Sequence, residues 1–261
     1  MINRDTFFKA LYSCEDYVEI QPQFYIYVRL YKSAYKSAFN PAQLIDKGIQ
    51  IIDEKVITSN GNSVGYFNHA TMNTSLKDNF LGLTIAKGDK PDLRPEIIGK
   101  ASTSNNYIQS CDRNKSQYSV YALSCTDKDY ENVCNLLNQQ TKYNLTDYSA
   151  KQNAIIALSR ISYNIINLFK RKKQKSREDF NDLDKHTGLV CSTFVMNVLY
   201  HCVNKVHKLV DNKNFFINLF TPNDIVNKIP DMKFCFGGTF NTYLQDCSNF
   251  IKLHPEHGAL L

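Results

Sequence analysis

The pattern of apolar positions is clearest between residues 189 and 206, where it repeats every three to four residues. The positions that carry this repeat are Leu189, Val195, Val198, Leu199, Cys202, Val203 and Val206. Apolar residues at that spacing line one face of a helix, so the segment predicts an amphipathic helix with one buried side. The helix follows the turn residue Gly188, and Cys191 therefore falls in its first turn.

Shorter apolar runs bounded by turn residues predict strands in the first half of the chain. We expect these strands over 44–52, 64–72, 79–86 and 118–123, with a polar loop that holds Pro91, Pro95 and Gly99 after the third. Further helices are expected over 124–137 and 149–169, from Thr221-Pro222 onward, and near 239–251. Most strands precede the main helix instead of alternating with helices, so the predicted fold class is α+β.

The first 40 residues are rich in aromatic side chains and predict two helices, over 4–18 and 24–39. The second helix would carry Tyr25, Tyr27, Tyr31 and Tyr35. We expect this arm to be a helical extension that packs outside the core and contributes nothing to the functional site. The alternative is an exposed face that binds a protein partner or a membrane surface.

Charge and composition narrow the class of function. The chain has 261 residues, a formal net charge of +6 and 43% hydrophobic residues, enough for a globular core. It has no zinc-finger spacing and does not interleave basic with aromatic residues along its length, so we expect no nucleic-acid partner. The basic run 170–175 predicts a solvated loop after a helix, with nuclear localisation or anion binding as alternatives.

Several features that the sequence lacks indicate where the protein is located and which ligands it binds. The N-terminus lacks the apolar core of a secretory signal, and no apolar run approaches the roughly 18 residues of a membrane span. The 8 cysteines are scattered without a C-x-x-C pair, which predicts reduced thiols in a cytoplasmic or virion-associated protein. His254 and His257 have no further ligand nearby in sequence, so we expect neither a metal nor a cofactor.

Cys191 and His69 are the candidate catalytic residues. A helix N-terminus stabilises the thiolate form of a cysteine, because its free N–H groups and its dipole favour negative charge. The alternative interpretation is a small buried side chain in a core helix, the usual fate of a free cysteine. Of the 6 histidines, only His69 falls inside a predicted strand, which makes it the candidate general base.

Five short motifs follow one another in an order that resembles a known family. They are Lys47-Gly48-Ile49-Gln50-Ile51-Ile52, Asn68-His69-Ala70, Ser119-Val120-Tyr121-Ala122-Leu123, Cys191-Ser192-Thr193-Phe194-Val195 and Thr221-Pro222-Asn223-Asp224-Ile225. The chain resembles the circularly permuted papain-like amidases of the YaeF/YiiX kind, in which the histidine precedes the cysteine. That group is related to the NlpC-type cell-wall peptidases and to lecithin retinol acyltransferase. The resemblance predicts a helical extension over 1–43, a permuted papain-like domain over 44–230, and a C-terminal extension over 231–261 packed on that domain.

The resemblance implies a papain-like fold in which the helix of Cys191 packs on a small antiparallel sheet. Cys191 would be the nucleophile, His69 the general base, and backbone N–H groups at the helix start the oxyanion hole. A third polar group on the next strand should orient the imidazole, yet Ile85 stands where many relatives have a carboxylate. We therefore expect Thr84, or Asn79, to take that place.

The function implied is a thiol hydrolase that cleaves amide or ester bonds, in peptides, peptidoglycan or lipid-linked acyl groups, through an acyl-enzyme. An acyltransferase would use the same residues and pass the acyl group to an alcohol or an amine. The missing carboxylate favours a third interpretation, a catalytically inactive papain-like module such as a virion or assembly component. The presence of both Cys191 and His69 favours the two enzymes.

Overall fold

The computed structural model describes residues 24–34, 36, 56–57, 63–65, 67–85, 91–99, 106–143 and 190–258. These residues form an α+β fold, as the sequence predicts. The strands are β1 (Phe24–Lys32), β2 (Val56–Ile57), β3 (Ser63–Gly65), β4 (His69–Asn73), β5 (Phe80–Ile85), β6 (Pro91–Glu96), β7 (Gln117–Cys125) and β8 (Met232–Thr239). The helices are α1 (Asn106–Ser110), α2 (Asp127–Tyr143), α3 (Cys191–Cys202), α4 (Asn204–Lys213), α5 (Pro222–Lys228) and α6 (Tyr243–Leu253), with short 3-10 turns at Ile217–Leu219 and Pro255–His257.

Six of the strands form one antiparallel sheet in the order β6-β5-β4-β1-β7-β8, and β2 pairs with β3 in a separate hairpin. Strand β1 lies inside the sheet, between β4 and β7. The register sets Tyr31 opposite His69 on β4 and opposite Tyr118 on β7. The strand that carries His69 is therefore held on both sides, by β1 and by β5.

The predicted helix over 24–39 is wrong, because residues 24–32 form β1. Along this strand Ile26, Val28 and Leu30 point into one apolar cluster, while Tyr27 and Tyr31 point into another. Both faces of β1 are buried, and its period-two alternation places aliphatic residues on one face and tyrosines with the buried Arg29 on the other. Tyr27 and Tyr31 are buried and do not form an exposed partner-binding face.

Helices cover both faces of the sheet. The larger core cluster joins one face to α2, α3, α4 and α5 through Val133, Phe194, Val206, Ile225 and their neighbours. The second cluster joins the other face to α1 and α6 through residues that include Ile108 and Tyr243. Helix α3 begins at Cys191, as predicted, and its buried side lies in the larger cluster.

Two further predictions are corrected at the edges of the sheet. The expected polar loop around Pro91 and Pro95 is strand β6, and prolines fit an edge strand because one side needs no N–H donors. The C-terminal extension expected over 231–261 includes β8, which is the opposite edge strand and pairs with β7. The predicted strand over 64–72 divides into β3 and β4.

The remaining predicted elements have mixed outcomes. The strands over 79–86 and 118–123 are confirmed as β5 and β7, and the helices after Ser124, Thr221 and Thr239 as α2, α5 and α6. The elements predicted over 4–18, 44–52 and 149–169 lie outside the described residues. Within the described residues, no helix is long and apolar enough to cross a membrane. The seven cysteines described are free thiols.

The position of β1 generates a stability prediction. Leu30 is fully buried in the larger cluster, so Leu30→Ala should lower the free energy of unfolding by about 2–5 kcal/mol. Lys32→Ala, at the exposed end of the same strand, should change it by less than about 0.5 kcal/mol. Urea denaturation followed by circular dichroism measures both values. A loss below about 1 kcal/mol for Leu30→Ala would place residues 24–32 outside the core.

Candidate active site

His69 is the first residue of β4, and the chain that leads into it is held by backbone contacts. The Phe67 N–H donates to Asn223 Oδ1 at 3.0 Å, and Asn223 Nδ2 donates to the Phe67 carbonyl at 3.3 Å. The Asn68 N–H donates to the Tyr31 carbonyl at 2.8 Å. Asn223 is fully buried, so its two hydrogen bonds to the Phe67 backbone fix the segment just before His69.

Asn223 belongs to the Thr221-Pro222-Asn223-Asp224 motif, which forms the start of α5. Thr221 is the N-cap: the Asp224 N–H donates to Thr221 Oγ1 at 3.2 Å, and the Thr221 N–H donates to Asp224 Oδ2 at 3.0 Å. This reciprocal pair is a capping box, and proline at the first helical position suits the same end. The motif therefore presents Asn223 to Phe67 from a fixed helix start.

Cys191 is the first residue of α3 and is partly exposed, whereas Ser192 and Thr193 are buried. Ser192 Oγ donates to the Phe220 carbonyl at 2.7 Å, and the Val190 N–H donates to Thr193 Oγ1 at 2.9 Å. These contacts tie both neighbouring side chains into the protein. The Cys191 thiol is left at the accessible end of the helix, where free backbone N–H groups favour negative charge.

The structure brings His69 and Cys191 together, because the Cys191 sulfur is close enough to the imidazole to raise its pKa. His69 Nε2 also contacts Glu96 Oε1 at 2.9 Å, so Nδ1 is the ring nitrogen left for the sulfur. Tyr31 stacks on the imidazole, with ring centroids 5.4 Å apart and planes inclined by 15°. Three strands and one helix therefore fix the ring: β4 carries it, β6 and β1 hold it, and α3 supplies the thiol.

The charge state of His69 follows from its neighbours. Burial lowers the pKa of the imidazole, but the Glu96 carboxylate, the Cys191 sulfur and the hydrogen bonds to both raise it, to about 10. The ring is therefore protonated at neutral pH, and a protonated imidazole stabilises a thiolate beside it. Elsewhere in the described residues, burial raises the pKa of the Cys111, Cys125 and Cys235 thiols to about 12.

Glu96 was not predicted, and the expected lack of an orienting carboxylate is wrong. The carboxylate comes from β6, two strands away from His69, and is fully buried. It passes over β5 at Gly82, where a Cβ atom would overlap Glu96 Oε1 and lie 2.7 Å from Thr71 Cγ2. The absence of a side chain at position 82 is thus what lets Glu96 reach the imidazole.

The two residues predicted for the orienting role lie on β5 and in the turn that precedes it. Thr84 is on β5, opposite Asp92 of β6 in the register, and a role for its side chain stays a prediction. Asn79 accepts a hydrogen bond from Asn73 Nδ2 at 2.7 Å in the turn before β5. Glu96 lies directly after Pro95. Because Pro91 and Pro95 predict a loop, the sequence does not predict β6, the strand that positions Glu96.

The other histidines of the described residues serve in packing or at the surface. His257 Nδ1 contacts Tyr27 Oη at 3.0 Å, and its ring stacks on Tyr25 at 4.0 Å. His207 is exposed on α4 and pairs with Asp211 at 3.3 Å. Within the described ranges, no group of three or more potential ligands could hold a metal ion.

The missing side chain at Gly82 leads to a prediction about the reactivity of the Cys191 thiol. Near pH 6, iodoacetamide should label Cys191 faster than the other described thiols, because protonated His69 stabilises the thiolate. Gly82→Ala should slow this labelling about tenfold, since the new methyl group displaces Glu96 and burial then leaves the imidazole neutral. Peptide mass spectrometry after short exposures gives the rate for each cysteine.

Gly237→Ala is the matched control for that variant. A Cβ atom at this position of β8 would lie 2.7 Å from the Tyr118 carbonyl oxygen, a similarly crowded site at the opposite side of the sheet. It should leave the labelling of Cys191 unchanged. Equal rates for the parent protein and Gly82→Ala would show that Glu96 does not control the thiol.

Comparison with known proteins adds no relative to this geometry. No family model matches the chain, and no curated protein or solved structure gives a significant match.

Proposed function

We propose that this protein is a thiol hydrolase that cleaves amide or ester bonds through an acyl-enzyme on Cys191. The observation that carries the proposal is the contact of the buried Glu96 carboxylate with the buried His69 imidazole, which lies beside the partly exposed Cys191 thiol at a helix N-terminus. A nucleophile, a base and a group that orients the base are the three parts such a reaction requires.

In this proposal each of the three residues has one role. The Cys191 thiolate attacks the carbonyl carbon of the substrate and forms a carbon–sulfur bond, while N–H groups at the start of α3 stabilise the oxyanion. Protonated His69 then gives its proton to the leaving nitrogen or oxygen as the scissile bond breaks. Glu96 keeps the imidazole oriented towards the sulfur and stabilises its positive charge.

Water completes the cycle in the second half of the reaction. His69, now neutral, takes a proton from a water molecule, and the oxygen attacks the thioester carbon. The carbon–sulfur bond breaks, a carboxylic acid leaves, and Cys191 and His69 return to their starting charges. An acyltransferase would follow the same steps with an alcohol or amine in place of water.

We further propose that the fold is a permuted papain-like one. In its support, His69 precedes Cys191 along the chain, and α3 packs on an antiparallel sheet that carries the histidine. The Thr221-Pro222-Asn223-Asp224 motif also supports this proposal. Its Asn223 binds the backbone of Phe67 just before His69, which gives a physical reason why this motif accompanies the histidine motif. Glu96 removes the observation that favoured a catalytically inactive module.

The experiment uses p-nitrophenyl acetate as a probe substrate. The parent protein should release p-nitrophenolate and gain an acetyl group on Cys191, detected by mass spectrometry of the intact chain after rapid acid quenching. His69→Ala and Glu96→Gln should each lower the rate of acetylation by about a hundredfold, because the thiol loses its base or the base its orientation. Added glycine methyl ester separates hydrolysis, which yields acetate, from transfer, which yields the acetylated amine.

Two controls make the outcome decisive. Cys191→Ser should abolish the adduct, and His207→Ala should leave the rate unchanged because that exposed histidine pairs with a different carboxylate. Acetylation spread evenly over several cysteines, and unaffected by His69→Ala, would contradict a hydrolase centred on Cys191.

A further inference from the structure

Arg29, on the central strand β1, is a fully buried cation that the proposed reaction does not use directly. Its Nη1 donates to Asp78 Oδ1 at 2.6 Å. Aromatic rings surround the guanidinium, with its central carbon 4.3 Å from the ring centre of Phe80 and 4.9 Å from that of Tyr243. The charge is thus held away from solvent by one carboxylate and by aromatic faces.

The contacts of Arg29 converge on the end of β6. Its Nη2 donates to the backbone carbonyl of Glu96 at 2.5 Å. Asp78, the partner of Arg29, accepts the backbone N–H of Ile98 at 3.1 Å and also that of Gly99. The Arg29–Asp78 ion pair therefore binds the backbone at Glu96, Ile98 and Gly99.

Stability alone gives a weak reason for this ion pair. Taking two charges out of water is costly, and replacing a buried ion pair by apolar residues of similar volume is often neutral or stabilising. What an apolar cluster cannot do is donate to a chosen carbonyl and accept from chosen N–H groups. The guanidinium fork and the carboxylate fix the backbone of residues 96–99 by direction as well as by distance.

We infer that Arg29 is a positioning residue: together with Asp78 it fixes the end of β6 so that the Glu96 carboxylate stays on His69. The inference rests on the proposed function, since it concerns the orientation of the base in that reaction. Glu96 has no neighbouring side chain at Gly82 to guide it across β5, so the placement of its backbone decides where its carboxylate lies. Arg29 supplies that placement from the strand adjacent to β4.

The groups around the Glu96–His69 pair decide whether a pH profile of Cys191 labelling can be assigned to that pair. Arg29, Tyr31, Cys111 and Cys191 act on the pair itself, and Asp78 and Tyr243 lie against Arg29. Burial lowers the pKa of Arg29, but Tyr31, Tyr243 and Asp78 raise it above its ordinary value, so it stays charged. Burial raises the pKa of Tyr31, Tyr243 and Cys111, so these three stay neutral between about pH 5 and about pH 9.

The test is the pH profile of iodoacetamide labelling at Cys191 in the full chain. Arg29→Met should move the profile towards alkaline pH by about one unit or more, as Glu96→Gln does, because both changes separate the carboxylate from the imidazole. Adding Arg29→Met to Glu96→Gln should produce no further movement. Arg29→Lys should give a smaller shift in the same direction, since an ammonium group can pair with Asp78 but lacks the fork that also reaches the Glu96 carbonyl.

Arg113→Met is the matched control. Arg113 donates to the carbonyl of Ile98 near the same end of β6, but it does not contact Glu96. Its replacement should leave the pH profile unchanged, whatever it does to stability. Circular dichroism selects the variants that fold, and if Arg29→Met does not fold, the shift of Arg29→Lys relative to the parent decides the question.

The outcomes separate this inference from the proposed function. If the parent protein labels Cys191 rapidly near pH 6 and both Arg29 variants keep its profile, Arg29 has a structural role only and the inference fails. If the double variant shifts further than Glu96→Gln alone, Arg29 acts on the thiol by another route and the inference also fails. If the parent protein shows neither rapid labelling nor an acetyl adduct, the proposed function itself fails.

Discussion

The buried contact between His69 and Glu96 is the constraint on which the candidate site depends. Burial alone would keep an imidazole neutral, and a neutral imidazole would not stabilise a thiolate. The carboxylate at 2.9 Å opposes that preference, and together with the Cys191 sulfur it raises the pKa of His69 to about 10. The buried imidazole of His69 thus carries a positive charge that the buried Glu96 carboxylate stabilises. Much of the surrounding fold keeps these two side chains together.

Sequence separation explains why the site needs so many fixed points. His69, Glu96 and Cys191 come from β4, β6 and α3, and no local turn holds any two of them in place. Asn223 fixes the entrance to β4, Ser192 ties the start of α3 to the Phe220 carbonyl, and Arg29 holds the end of β6. Each contact joins a site residue, or a residue at most two positions from one, to an element distant in sequence. The central strand β1 takes part twice, because Tyr31 stacks on the imidazole and Arg29 reaches the Glu96 carbonyl.

The sequence predicts the parts of this arrangement that rest on local periodicity. The three-to-four spacing of apolar residues locates α3 and puts Cys191 at its start, and Thr221-Pro222 marks α5 through capping chemistry. The sequence does not predict β1, because Tyr27, Tyr31 and Tyr35 recur every four residues, a spacing that also fits a helix, while the aliphatic positions of the strand alternate with period two. Nor does it predict Glu96, which depends on the order of strands in the sheet and on the gap at Gly82. Long-range pairing of this kind leaves no mark in local spacing.

The central claim is that Glu96 keeps His69 protonated beside Cys191, and nitrogen-15 NMR of the imidazole tests it most directly. The spectrum of the full-length protein is recorded from about pH 5 to about pH 11, and the His69 signals are assigned by their loss in His69→Gln. The account predicts that the imidazole stays protonated through neutral pH and loses its proton at about pH 10. In Glu96→Gln the proton should be lost at a clearly lower pH than in the parent protein, because burial is then opposed by the Cys191 sulfur alone. A His69 imidazole that titrates at or below about pH 6.5 in the parent protein would contradict the account.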